Sequence, residues 1–114
     1  MTLFTGDVVW AELGPARGRE QTGRRPVVIV ASNDYLETVD TLAIGIPVTS
    51  KDRGWPNHVP LAGPTGLTKR SFAMTEQVVT VSRERITAVA GQVDDPTLAA
   101  IAIYLRDFLL PTAS

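Results

Sequence analysis

From Asp7 to Leu13 hydrophobic and polar positions alternate. Val9, Ala11 and Leu13 fall on one side and Val8, Trp10 and Glu12 on the other, the period of two that marks a strand with one buried face. Gly14, Pro15, Gly18 and Gly23 then punctuate a polar stretch with the composition of a surface loop. Pro26-Val-Val-Ile-Val-Ala31 is a continuous β-branched run, too short for a helix and suited to a strand covered on both faces, so it is predicted to be central. Ser32, Asn33 and Asp34 stop it and can cap a short helical turn. Thr41–Thr49 resumes as an apolar strand ending in Pro47-Val48-Thr49. Beyond a loop from Lys51 to Asn57, four shorter segments have strand character: His58–Leu61, Ser71–Met74, Gln77–Val81 and Ile86–Val93.

The last segment changes period. Leu98, Ile101, Ala102, Leu105, Phe108 and Leu109 recur at spacings of three and four and share one face of a helix. Asp95 is placed to cap that helix, Pro96 suits its first position and Pro111 ends it. Short strands followed by one helix predict a mainly β fold with α (α+β): a small, strongly bent antiparallel sheet or SH3-like barrel, with the C-terminal helix over an open side. At 114 residues the chain is expected to form one domain across 1–114.

Composition narrows the chemistry. There are no cysteines and one histidine, which leaves no thiolate metal site and makes a zinc centre improbable on ligand count. His58 has no Gly-x-Ser-x-Gly elbow to serve, and Gly14-Pro-Ala-Arg-Gly18 lacks the spacing of a phosphate loop. His58 is read as a structural strand residue. Asp94-Asp95, before Pro96, reads as helix capping and not acid–base catalysis. No run is long and apolar enough for a membrane span, and the first residues do not resemble a secretion signal, so a cytoplasmic protein is expected. Net charge is −1, yet the cations cluster: Arg17, Arg19, Arg24 and Arg25 in one segment, and Lys51, Arg53, Lys69 and Arg70 in two others. A fold that gathers these loops has one basic face on a slightly acidic protein.

The order Gly-Asp-Val-x-Trp-x-x-Leu (6–13), Gly-x-Glu-Gln (18–21) and Gly-x-Arg-Pro-Val-Val-Ile-Val (23–30) resembles the opening of the MazF/PemK toxins. The likeness continues through Pro47-Val48-Thr49-Ser50, the Lys51–Leu61 hairpin and Thr75-Glu76-Gln77-Val78-Val79-Thr80-Val81, and so covers almost the whole chain. The resemblance implies a homodimer of SH3-like barrels, of the shape shared with CcdB-like toxins. It also implies cofactor-free, metal-independent cleavage of single-stranded RNA to 2′,3′-cyclic phosphate and 5′-hydroxyl ends. Attack by a ribose 2′-oxygen needs a proton acceptor, a cation for the charged phosphorane and a donor for the departing 5′-oxygen. Arg25 matches the family's catalytic arginine, with a guanidinium fork suited to phosphate. Thr49 matches its active-site threonine, and Glu20 a loop acid that is a candidate general base or a partner orienting Arg25.

Recognition is expected in the surrounding loops. Trp55, between Gly54 and Pro56, offers a ring on which a base can stack, or else anchors its hairpin on a partner subunit. Arg17, Arg19, Gln21, Arg53 and Gln77 are candidate RNA contacts, and Trp10 lines either the RNA groove or a dimer seam. The sequence departs from common family patterns at Arg19, where a small polar residue is frequent. It departs again at Lys69-Arg70-Ser71, where many relatives carry an acidic residue before the serine; both changes bear on which RNA is preferred. The resemblance further implies a MazE-like antitoxin whose C-terminal tail blocks the groove. Two other classes stay open: a same-fold toxin that binds DNA gyrase without cutting RNA, and a non-catalytic nucleic-acid-binding barrel.

Overall fold

The structure, a computed structural model, describes residues 1–14 and 23–111. Seven strands precede a long helix: β1 (Asp7–Glu12), β2 (Arg24–Ile29), β3 (Leu42–Thr49), β4 (His58–Pro60), β5 (Phe72–Met74), β6 (Val79–Ser82) and β7 (Ile86–Gln92), with α1 (Asn33–Thr38) between β2 and β3 and α2 (Asp95–Leu109) at the end. The described strands form one antiparallel sheet in the order β4-β5-β3-β2-β1-β7, and β6 also pairs with β3. Leu42–Gly45 of β3 pairs with β6 while Val48 and Thr49 pair with β5, so one edge of β3 serves two partners. The sheet bends without closing, and the mainly β fold with a C-terminal helix is as expected.

The β-branched run acquires two cores. Val27 and Ile29 enter a cluster with Val9, Ala11, Leu36 and Val81 on one face. Val28 points the other way, into a cluster with Val8, Ile46, Val59, Val93 and Ile101. That second core corrects the reading of β1 as half-buried: Val8, on its expected outer side, is fully buried because α2 covers the sheet there. Ser32 caps α1, its hydroxyl accepting from the Tyr35 N–H at 3.1 Å.

At α2 the cap is Asp94, not Asp95. The Asp94 carboxylate accepts the Thr97 N–H at 2.9 Å, so helix begins at Asp95 and Pro96 takes its second position. The Thr97 hydroxyl and N–H hold the Asp94 carboxyl below its ordinary range. The buried stripe is also narrower than the periodicity suggests. Leu98, Ile101, Tyr104 and Leu105 pack on the second core, while Ala102, Phe108 and Leu109 are exposed.

Candidate functional site

The site is built by strand register. Val27 lies opposite Pro47, Val28 opposite Ile46 and Ile29 opposite Gly45; Arg25 and Thr49 stand two residues beyond the Val27–Pro47 pair, on neighbouring strands, and both line the same cleft. On the other side of β2, Trp10 of β1 faces Pro26 and Ala11 faces Arg25. The strand ends therefore present, side by side, a cleft of about 410 Å³. Trp10, Pro26 and Val48 supply its apolar lining, and Arg24, Arg25, Thr49 and Ser50 its polar rim.

The opposite wall is the connection from β4 to β5, contributing Gly66, Leu67, Thr68, Lys69 and Ser71. Two glycines let this connection lie directly on β7. A Cβ at Gly66, where φ is +76°, would come within 2.1 Å of the Ala90 carbonyl, and one at Gly91 within 2.1 Å of the Pro64 carbonyl. The Gln92 N–H donates to the Pro64 carbonyl at 3.0 Å and the Asp94 N–H to the Ala62 carbonyl at 2.9 Å. The Ser71 hydroxyl bonds the Lys69 carbonyl at 2.9 Å, which fixes the backbone under the lysine.

Among the described lining residues, Arg24, Arg25 and Lys69 carry charge and no carboxylate does. On a chain of net charge −1 this concentrates positive potential where the strand ends open. Arg24 is held over the Trp10 ring at 5.2 Å, and its Nε donates to the Thr87 hydroxyl at 3.0 Å. The Thr49 hydroxyl oxygen accepts the Lys51 N–H at 3.1 Å, which leaves its own proton to donate into the cleft. Cations and hydroxyls arranged in this way can bind a phosphodiester and stabilise charge that develops on its oxygens.

Arg25 and Thr49, named from the sequence, thus share the cleft, and Trp10 lines it too. Arg24, Lys69 and Ser71 join them without having been singled out as site residues. Their signals were the clustering of cations for Arg24 and Lys69 and the departure from the family pattern at Lys69-Arg70-Ser71; the meeting of residues 24–26 with 66–71 is set by tertiary packing. Glu20, Arg17, Arg19 and Gln21 lie outside the described residues.

Arg53, Trp55 and Gln77 do not line the cleft; Trp55 and Gln77 meet at a separate corner built around His58 and Glu76. Trp55 is half-exposed on the β3–β4 loop, with its ring centroid 4.8 Å from that of His58. Arg53 is exposed on the same loop. The Gln77 amide donates to Glu76 Oε2 at 3.3 Å and contacts Met74 Sδ at 3.6 Å. His58 is buried in β4, with Nε2 at 3.0 and 3.1 Å from the two Glu76 oxygens. Burial acts to raise the Glu76 carboxyl, but hydrogen bonds from His58, its own backbone N–H and Gln77 outweigh it and leave the group below its ordinary range.

Comparison with known proteins gives one family. The family described as PemK-like, MazF-like toxin of type II toxin-antitoxin system matches residues 5–109. Endoribonuclease EndoA of Bacillus subtilis is 33% identical over 117 residues, covering 95% of this chain and all of that protein. MazF from Deinococcus radiodurans superposes with a TM-score of 0.79 at 25% identity, over 96% of this chain and 97% of the other. A MazE–MazF structure from the same organism gives a TM-score of 0.80 at 24% identity, over 98% and 99%, and bears on the fold.

Proposed function

The chain belongs to the PemK/MazF-like toxin family of type II toxin–antitoxin systems, and from that premise we propose that it is a sequence-selective endoribonuclease whose reaction centre is the Arg25–Thr49 cleft. The observation that carries the reading is that Arg25 and Thr49, from neighbouring strands, line one cleft whose described charges are all positive. A single-stranded RNA phosphodiester enters the cleft. The 2′-hydroxyl loses its proton and its oxygen attacks phosphorus. The P–O5′ bond breaks, and the departing 5′-oxygen takes up a proton, leaving a 2′,3′-cyclic phosphate and a 5′-hydroxyl. The Arg25 guanidinium binds the non-bridging oxygens and stabilises the phosphorane. The Thr49 hydroxyl donates to the same group. Glu20 is the candidate base or the partner orienting Arg25, and the donor set needs no metal.

Trp55, Arg53 and Gln77 are assigned to the bases beside the scissile phosphate, and Arg17, Arg19 and Gln21 are assigned to RNA contact from the sequence alone. The Gln77 NH₂ group is engaged by Glu76 and Met74, which leaves its carbonyl oxygen for a base edge. The protein is assigned to the cytoplasm as a homodimer inhibited by a MazE-like antitoxin. The antitoxin's C-terminal tail occupies the cleft and masks Arg25. An acidic tail complements Arg24, Arg25 and Lys69, and the matching Deinococcus radiodurans structure is one of MazE–MazF. No helix among the described residues is long and apolar enough to cross a membrane.

The test is incubation of the purified chain with a long single-stranded RNA in EDTA, beside Arg25→Ala and Thr49→Ala. Discrete cuts ending in cyclic phosphate, lost in both variants, are expected. Intact RNA from folded, antitoxin-free protein would displace the nuclease reading in favour of a gyrase-binding toxin.

A further inference from the structure

The loop that carries Trp55 leaves the sheet at the cleft rim, after Thr49, and returns to it at His58, opposite Met74. Between those points it joins no strand. Its own bonds are short-range: the Gly54 N–H donates to the Asp52 carboxylate at 2.9 Å and the His58 N–H to the Trp55 carbonyl at 3.0 Å. Its links to the rest of the protein converge on the turn after β5. Asn57 Nδ2 donates to Glu76 Oε1 at 2.9 Å, and the Thr75 hydroxyl donates to the Asn57 carbonyl at 2.7 Å. Glu76 therefore accepts from three side chains, Asn57, His58 and Gln77.

His58 is an unusual choice for this place. Its side chain is 2% exposed, and among the described residues its Nδ1 has no hydrogen-bond partner, a buried arrangement that an aliphatic residue would avoid. Two properties are needed here at once: a ring for the Trp55 indole to pack against, at a tilt of 51°, and a donor at the ring edge that reaches Glu76. A phenylalanine has the first and a glutamine the second.

We propose that His58 and Glu76 are positioning residues for RNA recognition: the pair fixes the Trp55 ring relative to Gln77, so that a base stacking on the indole meets the Gln77 amide. This rests on the ribonuclease reading above and assigns the pair no part in bond breaking. Neither residue lines the cleft of Arg25 and Thr49.

The experiment measures KM and kcat on a short single-stranded oligoribonucleotide containing one mapped cleavage site, for the wild-type chain, His58→Phe, His58→Gln, Glu76→Gln, Trp55→Ala and the Trp55→Ala/His58→Phe double variant. Folding is verified by circular dichroism, and Glu76→Gln, at a partly exposed position, carries the test if both His58 variants fail to fold. Trp55→Ala is expected to raise KM about tenfold, the scale of one lost base stack, with kcat within about twofold. His58→Phe and Glu76→Gln are expected to move KM in the same direction. The double variant is expected to be no worse than Trp55→Ala alone, because His58 acts through a ring that is no longer there.

Unchanged KM in every folded His58 and Glu76 variant would overturn the proposal. So would effects that multiply in the double variant, or a fall in kcat at constant KM. In each of those cases wild-type cleavage that depends on Arg25 keeps the nuclease reading standing, whereas intact RNA with the wild-type chain overturns both.

Discussion

The cleft and the Trp55 corner are built on opposite plans. In the cleft Arg24, Arg25 and Thr49 stand at the ends of neighbouring strands, Arg24 bonds the neutral hydroxyl of Thr87, and no described lining residue is a carboxylate. In the corner one carboxylate gathers the polar side chains, accepting from Asn57, His58 and Gln77. Backbone ladders place cations without neutralising them, which preserves their charge for a phosphate that is itself heavily charged in the transition state. A base is neutral and is read by a flat ring and an amide edge, so the groups that meet it have to be held still. Damage to the cleft is therefore expected to appear in the rate of the chemical step, and damage to the corner in the concentration of RNA needed to reach it.

The largest expected effect is at Arg25. Replacing it with Ala removes the charge aimed at the phosphorane, a loss of about 10²–10³ in kcat by analogy with a single oxyanion donor. Lysine at this position is expected to restore little, because a point charge on a flexible stem does not reproduce the fork. Single-turnover cleavage at saturating RNA checks both variants. The comparison breaks if Arg25→Ala raises KM and leaves the chemical step untouched, since Arg25 would then belong with the recognition groups.

Lys69 comes next, and it tests whether the far wall of the cleft is electrostatic. Lys69→Ala is expected to weaken RNA binding without abolishing cleavage and to lower the slope of log affinity against log salt by about 0.7, the value for one phosphate contact on a single strand. Salt titrations of a non-cleavable oligonucleotide analogue, followed by fluorescence anisotropy, supply the slope. An unaltered slope would mean that the lysine lines the wall without meeting the backbone of the RNA.

How much of this was legible in the chain depends on the range of the interaction. The run from Pro26 to Ala31 announces a strand buried on both faces, and Val27 and Val28 do enter different cores. Arg25 and Thr49 were reachable because each stands in a local motif beside an easily recognised strand. Asp94 was missed as the cap in favour of its neighbour, because adjacent aspartates before a proline have the same composition and only the backbone decides which carboxylate meets the Thr97 N–H. The face of α2 was drawn too wide for a different reason: periodicity reports which residues share a side of a helix, but not which of them the rest of the fold covers. Lys69 and Arg24 became cleft residues through the seating of Gly66 against Ala90 and the register of β1 on β2, and neither contact has a local signature. The Glu76 network was the least legible, since residues 57, 58, 76 and 77 meet only when β4 and β5 are paired.

The smallest effect isolates the corner from the cleft without using RNA. Because the folded protein holds the Glu76 carboxyl below its ordinary range, folding favours the ionised form. The resulting stability is fully present above the unfolded value of about 4.5 and is lost as pH falls through the lowered folded value. Glu76→Gln removes that titration and keeps the size of the side chain. The melting temperature of the wild type should therefore exceed that of Glu76→Gln near neutral pH, and the gap should narrow as pH falls below about 4.5. Asp94 is also held low, by Thr97, but it titrates in both proteins and cancels in the difference. Differential scanning fluorimetry across pH gives the measurement. A gap that stays constant through the acid range would mean that the carboxylate is not held by its three donors, and the contrast between a hydrogen-bonded corner and a cationic cleft would lose its physical basis.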